Sequence, residues 1–485
     1  MKLVIIDQDL RIHDNPAIYY AIKQANIDNQ DLIIIYILDE VNKRATGLAS
    51  KCFLHNLLAN LKIDIANKLS CSLFFYSGNS MEIINKIHND INIKELFLNN
   101  SFEPGQNKLI EKISKYCAQE NIKIHIKEAN LLFASDAINN MSGTHFKVFT
   151  PFWRACLQKE EQISKPLPDI RLNNKISQKL LQYFNNYSSN IDNLKLIPQS
   201  NWHQKILKYW VFKEEEILQK LENFIQLRIT KYKKQRDFPA INATSKLSPY
   251  LHFGAISTRY IFNKVRNYQK IHNQIDNSDI NHFLSEIGWR EFSYNLLFNF
   301  KELPQKNFNA KFDKFPWYEN EEILEKWQKG LTGYPIIDAG MRELWNTGWM
   351  HNRVRMIVGS FLVKDLLINW REGEKWFWDC LVDADIASNV ASWQWISGSG
   401  ADAAPYFRIF NPTLQSKKFD NEGNYIRKWL PELSKLSNKL IHDPSQANIF
   451  ELKDANIELG KNYPAPIIDH KKARDMALMA FKSLS

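Results

Sequence analysis

The chain has 485 residues, 44% of them hydrophobic and 13% aromatic, and its 63 lysines and arginines against 53 acidic residues give a net charge of +10. That length exceeds what one hydrophobic core supports, so two or three domains are expected. No apolar run approaches the roughly 20 residues of a membrane span, and MKLVIIDQDL lacks a signal-peptide core, so neither a membrane-embedded nor a secreted protein is expected, but a cytoplasmic one.

The first 130 residues alternate short apolar runs with helical periodicity. Strands are predicted at 3–6, 32–38, 73–76, 96–98 and 122–126, with helices near 17–24, 50–69, 81–89 and 107–120. Continuous apolar strands joined by helices indicate a parallel five-stranded, Rossmann-like α/β sheet covered on both faces. The turn after the first strand, DQDLRIHDNP, contains no glycine, so the dinucleotide fingerprint is absent. The five cysteines (Cys52, Cys71, Cys117, Cys156, Cys380) are scattered without a CxxC pair, which argues against a disulfide framework and structural zinc.

Residues 131–201 read as a long linker rich in Asn, Ser, Lys and Pro. From 202 to 485 strand signals almost vanish. Amphipathic helical patterns dominate, broken by DFPAINATS, GLTGYP, WREGE and SGSGADAAP. The expected organisation is an α/β domain over 1–130, the linker, and a large all-α domain over 202–485.

Four segments of the helical part could carry chemistry. Ala243 to Ser248, preceded by Tyr232 and Arg236, places hydroxyls and N–H groups ahead of a helix, a natural phosphate cradle or an ordinary cap. FLSEIGWREFSYNLL projects Glu286 and Trp289 together at i and i+3, either a base-recognition pair or a plain helix surface. Stretch 348–412 holds six of the fourteen tryptophans among charged groups. A helix predicted over 349–367 aligns Asn352, Arg355, Met356 and Gly359 on one face, with Arg353 turned off it. DADIASNVASWQW offers Asp383, Asp385 and Asn389 before Trp393 and Trp395. It lacks the glycine and alternating ligands of a calcium loop, so an Asp–Arg pair is favoured over metal.

Together these segments resemble the DNA photolyase/cryptochrome family, and within it the class I cyclobutane pyrimidine dimer photolyases. The resemblance runs through DLRIHDNPA (9–17), KVFTPFWRA (147–155), RDFP and TSKLSPYLHFGAIS (236–257), WREF (289–292), KGLTGYPIIDAGMREL (329–344), the 348–412 block and WLPEL (429–433). It implies FAD bound in the helical domain, with Tyr232, Thr244, Ser245, Lys246, Leu247 and Ser248 around its phosphates. Asn389 would face the flavin N5, Arg355 and Asp383 would pair beside the ring, and Asp385 would make a further contact. Trp393, Trp370 and Trp317 match the electron-transfer chain.

The implied reaction is light-driven electron transfer from fully reduced FAD to a flipped-out pyrimidine dimer in UV-damaged DNA, without metal. Trp289 and Trp395 would flank the dimer, Glu286 would hydrogen-bond it, and Asn352 and Met356 would touch it. Arg236, Arg353 and Arg408 match phosphate contacts, which gives the basic balance a purpose. Glu103 matches an antenna-pocket carboxylate, a match compatible with methenyltetrahydrofolate, a deazaflavin or an empty pocket. Ile5, Ile6 and Asp7 depart from the usual aromatic-plus-arginine pair, Ala243 and Lys246 from a glycine and an arginine, and Cys52 from an aromatic. Trp376 and Trp378 are read as core. The alternatives are (6-4) photoproduct repair, which typically uses lesion-site histidines, and a cryptochrome photoreceptor. A monomer without an obligate protein partner is expected.

Overall fold

A computed structural model describes residues 1–134, 137–140, 143–272, 276–403 and 405–484. The chain forms two compact units. Unit 1 comprises Met1–Phe146, Thr150–Thr230 and Ser245–Lys301, and unit 2 comprises Lys147–Phe149, Lys231–Thr244 and Glu302–Ser485. Among the described residues no helix is long and apolar enough to cross a membrane.

In unit 1 the apolar runs become five strands: β1 (Lys2–Ile6), β2 (Leu32–Leu38), β3 (Leu73–Ser77), β4 (Glu95–Asn99) and β5 (Lys123–Lys127). They form one parallel sheet of order β3-β2-β1-β4-β5. Helices Pro16–Asp28, Leu48–Asp64, Ser80–Ile91 and Pro104–Gln119 make the crossovers. Their ends are written locally. Asn15 and Asn79 cap helix starts with their side chains, and Asn29 and Asn92 end the same helices in the left-handed region. Leu3, Ile33, Ile35, Ile37 and Leu96 fill the core. Because the strand order reverses between β1 and β4, a crevice opens at the carboxyl ends there.

Among its described residues the segment read as a linker contains two α-helices, Phe149–Gln158 and Gln178–Tyr187. Leu180 and Phe184 of the second enter the same core as Phe74 and Tyr76, and Ser189 N–H donates to the Phe75 carbonyl at 2.8 Å. The abundance of Asn and Ser masked two apolar anchors that cover the sheet beside β3.

The motif DLRIHDNPA is used structurally. Arg11, 1% exposed, donates to the carbonyls of Gly254 (2.7 Å) and Ala129 (2.9 Å) and to Asn130. Asp14 accepts from Arg259 at 2.7 Å and from Leu167 N–H at 2.9 Å. Gly254 has φ +61°, and a Cβ there would lie 2.0 Å from the Gln8 carbonyl oxygen, so only glycine allows this approach. These contacts explain why 245–301, expected with the helical domain, packs into unit 1.

Unit 2 is helical, with Pro335–Thr347, Asn352–Ser360, Trp370–Cys380, Ile386–Ser397 and His470–Lys482 among its helices. The helix predicted over 349–367 is shorter. His351 caps its start by accepting from Arg353 N–H at 3.2 Å, and a π turn, Phe361–Asp365, follows Ser360. The Trp327 indole donates to the Val358 carbonyl at 3.2 Å, just before this turn.

Candidate functional site

Three helices of unit 2 assemble the polar residues singled out from the sequence. From helix Asn352–Ser360, the Arg355 guanidinium grips Asp383 through Nη2, at 3.0 Å to Oδ1 and 2.9 Å to Oδ2, while its Nε donates to the Met350 carbonyl at 2.7 Å. Asp383 is buried, and removing its partner would strand a charge. Asp385 caps helix Ile386–Ser397 by accepting from Ser388 N–H at 2.7 Å. One turn on, Asn389 donates its amide N–H groups to Glu374, at 2.9 Å to Oε1 and 3.2 Å to the main-chain carbonyl. A main-chain carbonyl only accepts, so the amide is fixed with Oδ1 facing away from Glu374. Glu374 carries no motif signal.

Trp393 is buried, with its ring 5.0 Å from Phe377 and 6.3 Å from Trp327. It lies flat on Gly373, where a Cβ would stand 2.1 Å from its Cη2. Trp370, three residues earlier on the same helix face, is fully buried and donates through Nε1 to Asn307 at 2.9 Å. Trp317 is half-buried against Phe315, 4.3 Å between ring centroids. Trp376 and Trp378, expected in the core, are only half-buried. Trp376 stacks on the exposed Trp345 at 6.2 Å and 1°, since the Trp370–Cys380 helix turns that side outward.

Asn352 is exposed, its amide 4.0 Å from the sulfur of half-buried Met356. Trp395 is half-buried. The histidine of WMHNRVRM is buried at the helix cap. The basic residues divide. Arg353 pairs with Asp237 at 2.8 Å and lies over the Phe419 ring, and Arg236 is 3.9 Å from the same Asp237 and over Tyr232. Asp237 thus neutralises part of the positive charge that the sequence offered for phosphates. Arg408 is exposed. Tyr232 is buried and Thr244 half-buried.

Unit 1 carries other residues that the sequence singled out. Glu286 and Trp289 occupy half-buried positions on helix Asn277–Asn299, whose Phe283, Leu284 and Ile287 face the core. Lys246 has φ +51°, and Leu247 follows with φ −91° and ψ −5°. That left-handed–right-handed sequence turns consecutive N–H groups of Ser245–Ser248 toward one point, an anion nest. In unit 2 Arg355 keeps its Nη1 and Asn389 presents one acceptor, groups that suit a flavin, and in unit 1 the nest suits a phosphate.

The carboxyl ends of β1 and β4 enclose a cavity of about 30 Å³, lined by Asp7, Gln8, Lys43, Asn99, Gln106 and Asn130 among others. That much space holds a water or two. Lys43 closes it by pairing with Asp7 at 2.7 Å. The loop carrying Lys43 is set by Asp39, whose burial alone would raise its carboxyl. Hydrogen bonds from Ser80 and Asn42 outweigh that and pull it down to about 2. Glu103 lies at the start of helix Pro104–Gln119 and accepts from Gln8 at 2.9 Å.

Residues 283–483 match the family model of the FAD binding domain of DNA photolyase, and residues 2–171 match the DNA photolyase model. The deoxyribodipyrimidine photo-lyase of Agrobacterium fabrum is 40% identical over 484 residues, 99% of this chain and 98% of the relative. Cryptochrome-2 of Arabidopsis thaliana is 33% identical over 485 residues, 99% of this chain and 78% of the relative. A crystal structure of a bacterial class III photolyase from Agrobacterium tumefaciens shares the fold at a TM-score of 0.92 and 40% identity, covering 100% of this chain and 97% of that one.

Proposed function

The chain belongs to the DNA photolyase/cryptochrome family and carries its FAD-binding domain, and on that premise we propose that it repairs cyclobutane pyrimidine dimers in UV-damaged DNA with light. Likeness to a class III photolyase structure supports class III in place of the class I grouping that the motifs suggested. One observation carries dimer repair over (6-4) repair. The only histidine of WMHNRVRM is spent as a buried helix cap, while Asn352 beside it is exposed and Met356 half-buried.

FAD, when bound and reduced, supplies the electron that splits the dimer and recovers it afterwards. The protein's part is positioning. Asn389, pinned by Glu374, offers an acceptor to the ring edge and so favours a protonated ring nitrogen over a bare one. Arg355, held by Asp383, puts a fixed positive charge beside the ring, where it stabilises added negative charge. Tyr232, Thr244 and the Ser245–Ser248 nest hold the phosphates. Trp317, Trp370 and Trp393 deliver electrons inward from the surface. Glu286 hydrogen-bonds the dimer, and Trp289 and Trp395 supply apolar walls that offset the cost of extruding a base pair already weakened by damage. The signalling alternative rests on the cryptochrome relative.

Light-dependent repair of a thymine-dimer oligonucleotide by the reduced protein tests the proposal. A dimer that survives illumination while reduced FAD stays bound refutes it and favours the photoreceptor.

A further inference from the structure

Lys364 sits in the π turn with its side chain fully buried. Burying an ammonium is costly unless its charge is met, yet among the described residues no carboxylate pairs with it. The neighbouring Asp365 turns instead to His470, at 2.5 Å. Lys364 Nζ donates to the Arg408 carbonyl at 3.1 Å and lies 5.2 Å from the Tyr406 ring centroid. Burial lowers the amine to about 8.

The segment it grips is tightly made. Arg408 N–H donates to the Pro405 carbonyl at 2.9 Å and Ile409 N–H to the Phe407 carbonyl at 3.0 Å. Tyr406 points inward and stacks on Phe481 of the C-terminal helix at 4.7 Å and 8°. Phe410 N–H reaches Ser360 Oγ at 3.4 Å. With Tyr406 turned in, Phe407 (66% exposed) and Arg408 stand out. The helix that carries Asn352, Arg355 and Met356 therefore also holds this loop from its far end.

We infer that Lys364 is a positioning residue for DNA binding: its buried ammonium fixes the main chain at Arg408 so that this guanidinium meets a phosphate. The inference rests on the reading of Arg408 as a phosphate contact. A contact of that kind contributes about 0.9 to the slope of log affinity against log salt on duplex DNA, a quantity that loss of packing alone does not change.

The test is a double-mutant cycle on the full-length, FAD-loaded protein, titrating a dimer-containing duplex across salt concentrations. Lys364→Met, with FAD content at wild-type level, should weaken binding several-fold and lower the salt slope by about 0.9, as Arg408→Ala does. The double variant should bind no more weakly than Arg408→Ala alone. Wild-type affinity and slope in Lys364→Met, or multiplicative losses in the double variant, overturn the inference. If Arg408→Ala itself changes nothing, the phosphate reading falls. Hydrogen exchange at Arg408, Ile409 and Phe410 then decides, with faster exchange in Lys364→Met sustaining the loop-holding role and unchanged exchange removing it. Should Lys364→Met fail to fold, Lys364→Leu, which also lacks a donor, takes its place in the same cycle.

Discussion

Gly373→Ala tests the electron path with a single methyl group. A Cβ at Gly373 would lie 2.1 Å from Trp393 Cη2 and 2.5 Å from Cζ3. Carbon atoms in contact need about 3.5–4.0 Å, so the indole must retreat by roughly 1.5 Å. It has little room, with Phe377 at 5.0 Å and Trp327 at 6.3 Å on its other sides. Overpacking of this kind costs about 1–3 kcal/mol, a fall of several degrees in melting temperature for a unit of this size. The same displacement changes how Trp393 approaches Trp370, so light-driven reduction of the bound flavin should slow. Thermal melting and visible absorbance under illumination with an external donor measure the two effects. Adding Trp393→Phe should restore the melting temperature, because the smaller ring clears the methyl, but not the photoreduction. Wild-type melting and photoreduction in Gly373→Ala refute the packing argument, and a double variant that stays destabilised shows that the clash lies elsewhere.

Other perturbations address single residues. Glu374→Leu removes the side-chain acceptor that orients Asn389; losing a hydrogen bond worth about 1 kcal/mol should speed air oxidation of the reduced flavin roughly fivefold, and an unchanged rate would contradict the pinning role. Asp383→Asn leaves Arg355 without its bidentate partner, so the purified protein should hold less FAD, read from its absorbance ratio. Glu286→Ala should lower repair yield per absorbed photon with FAD content unchanged; an unaltered yield would remove its assigned contact. Glu291 is buried with Leu132 and Phe133 N–H groups donating to one oxygen, and burial pushes its carboxyl up to about 7. A carboxyl raised in the folded state stabilises it at low pH, and that stability is lost as pH rises from about 4.5 to 7, about 3 kcal/mol in all. Glu291→Gln should flatten this part of the urea-midpoint profile, and an unchanged profile would show that Glu291 titrates normally.

Much of the fold was legible because its causes are local. Uninterrupted apolar runs mark doubly covered strands, and Asn15, Asn29, Asn79 and Asn92 write helix ends within a turn of themselves. The five-stranded sheet and the helical second half follow from such signals, and the motif order was enough to point to the family. Helix Gln178–Tyr187 was not legible because two residues, Leu180 and Phe184, outweigh a polar surrounding once a sheet face needs covering.

The site was legible only as a set of residue types. Which way the Asn389 amide faces depends on Glu374, and how near Trp393 may come depends on Gly373. Whether Arg353 is free for a phosphate depends on Asp237, more than a hundred positions away. Lys43 closes the sheet cavity onto Asp7, and Lys364 turns inward to hold the Arg408 main chain. By itself the sequence determined periodicity, capping and an inventory of chemical groups, since these depend on neighbours along the chain. Tertiary structure decided which charges are spent internally, which amide face is offered and how large each cavity is, because hydrogen bonding and exclusion act through space between residues that the chain order keeps apart.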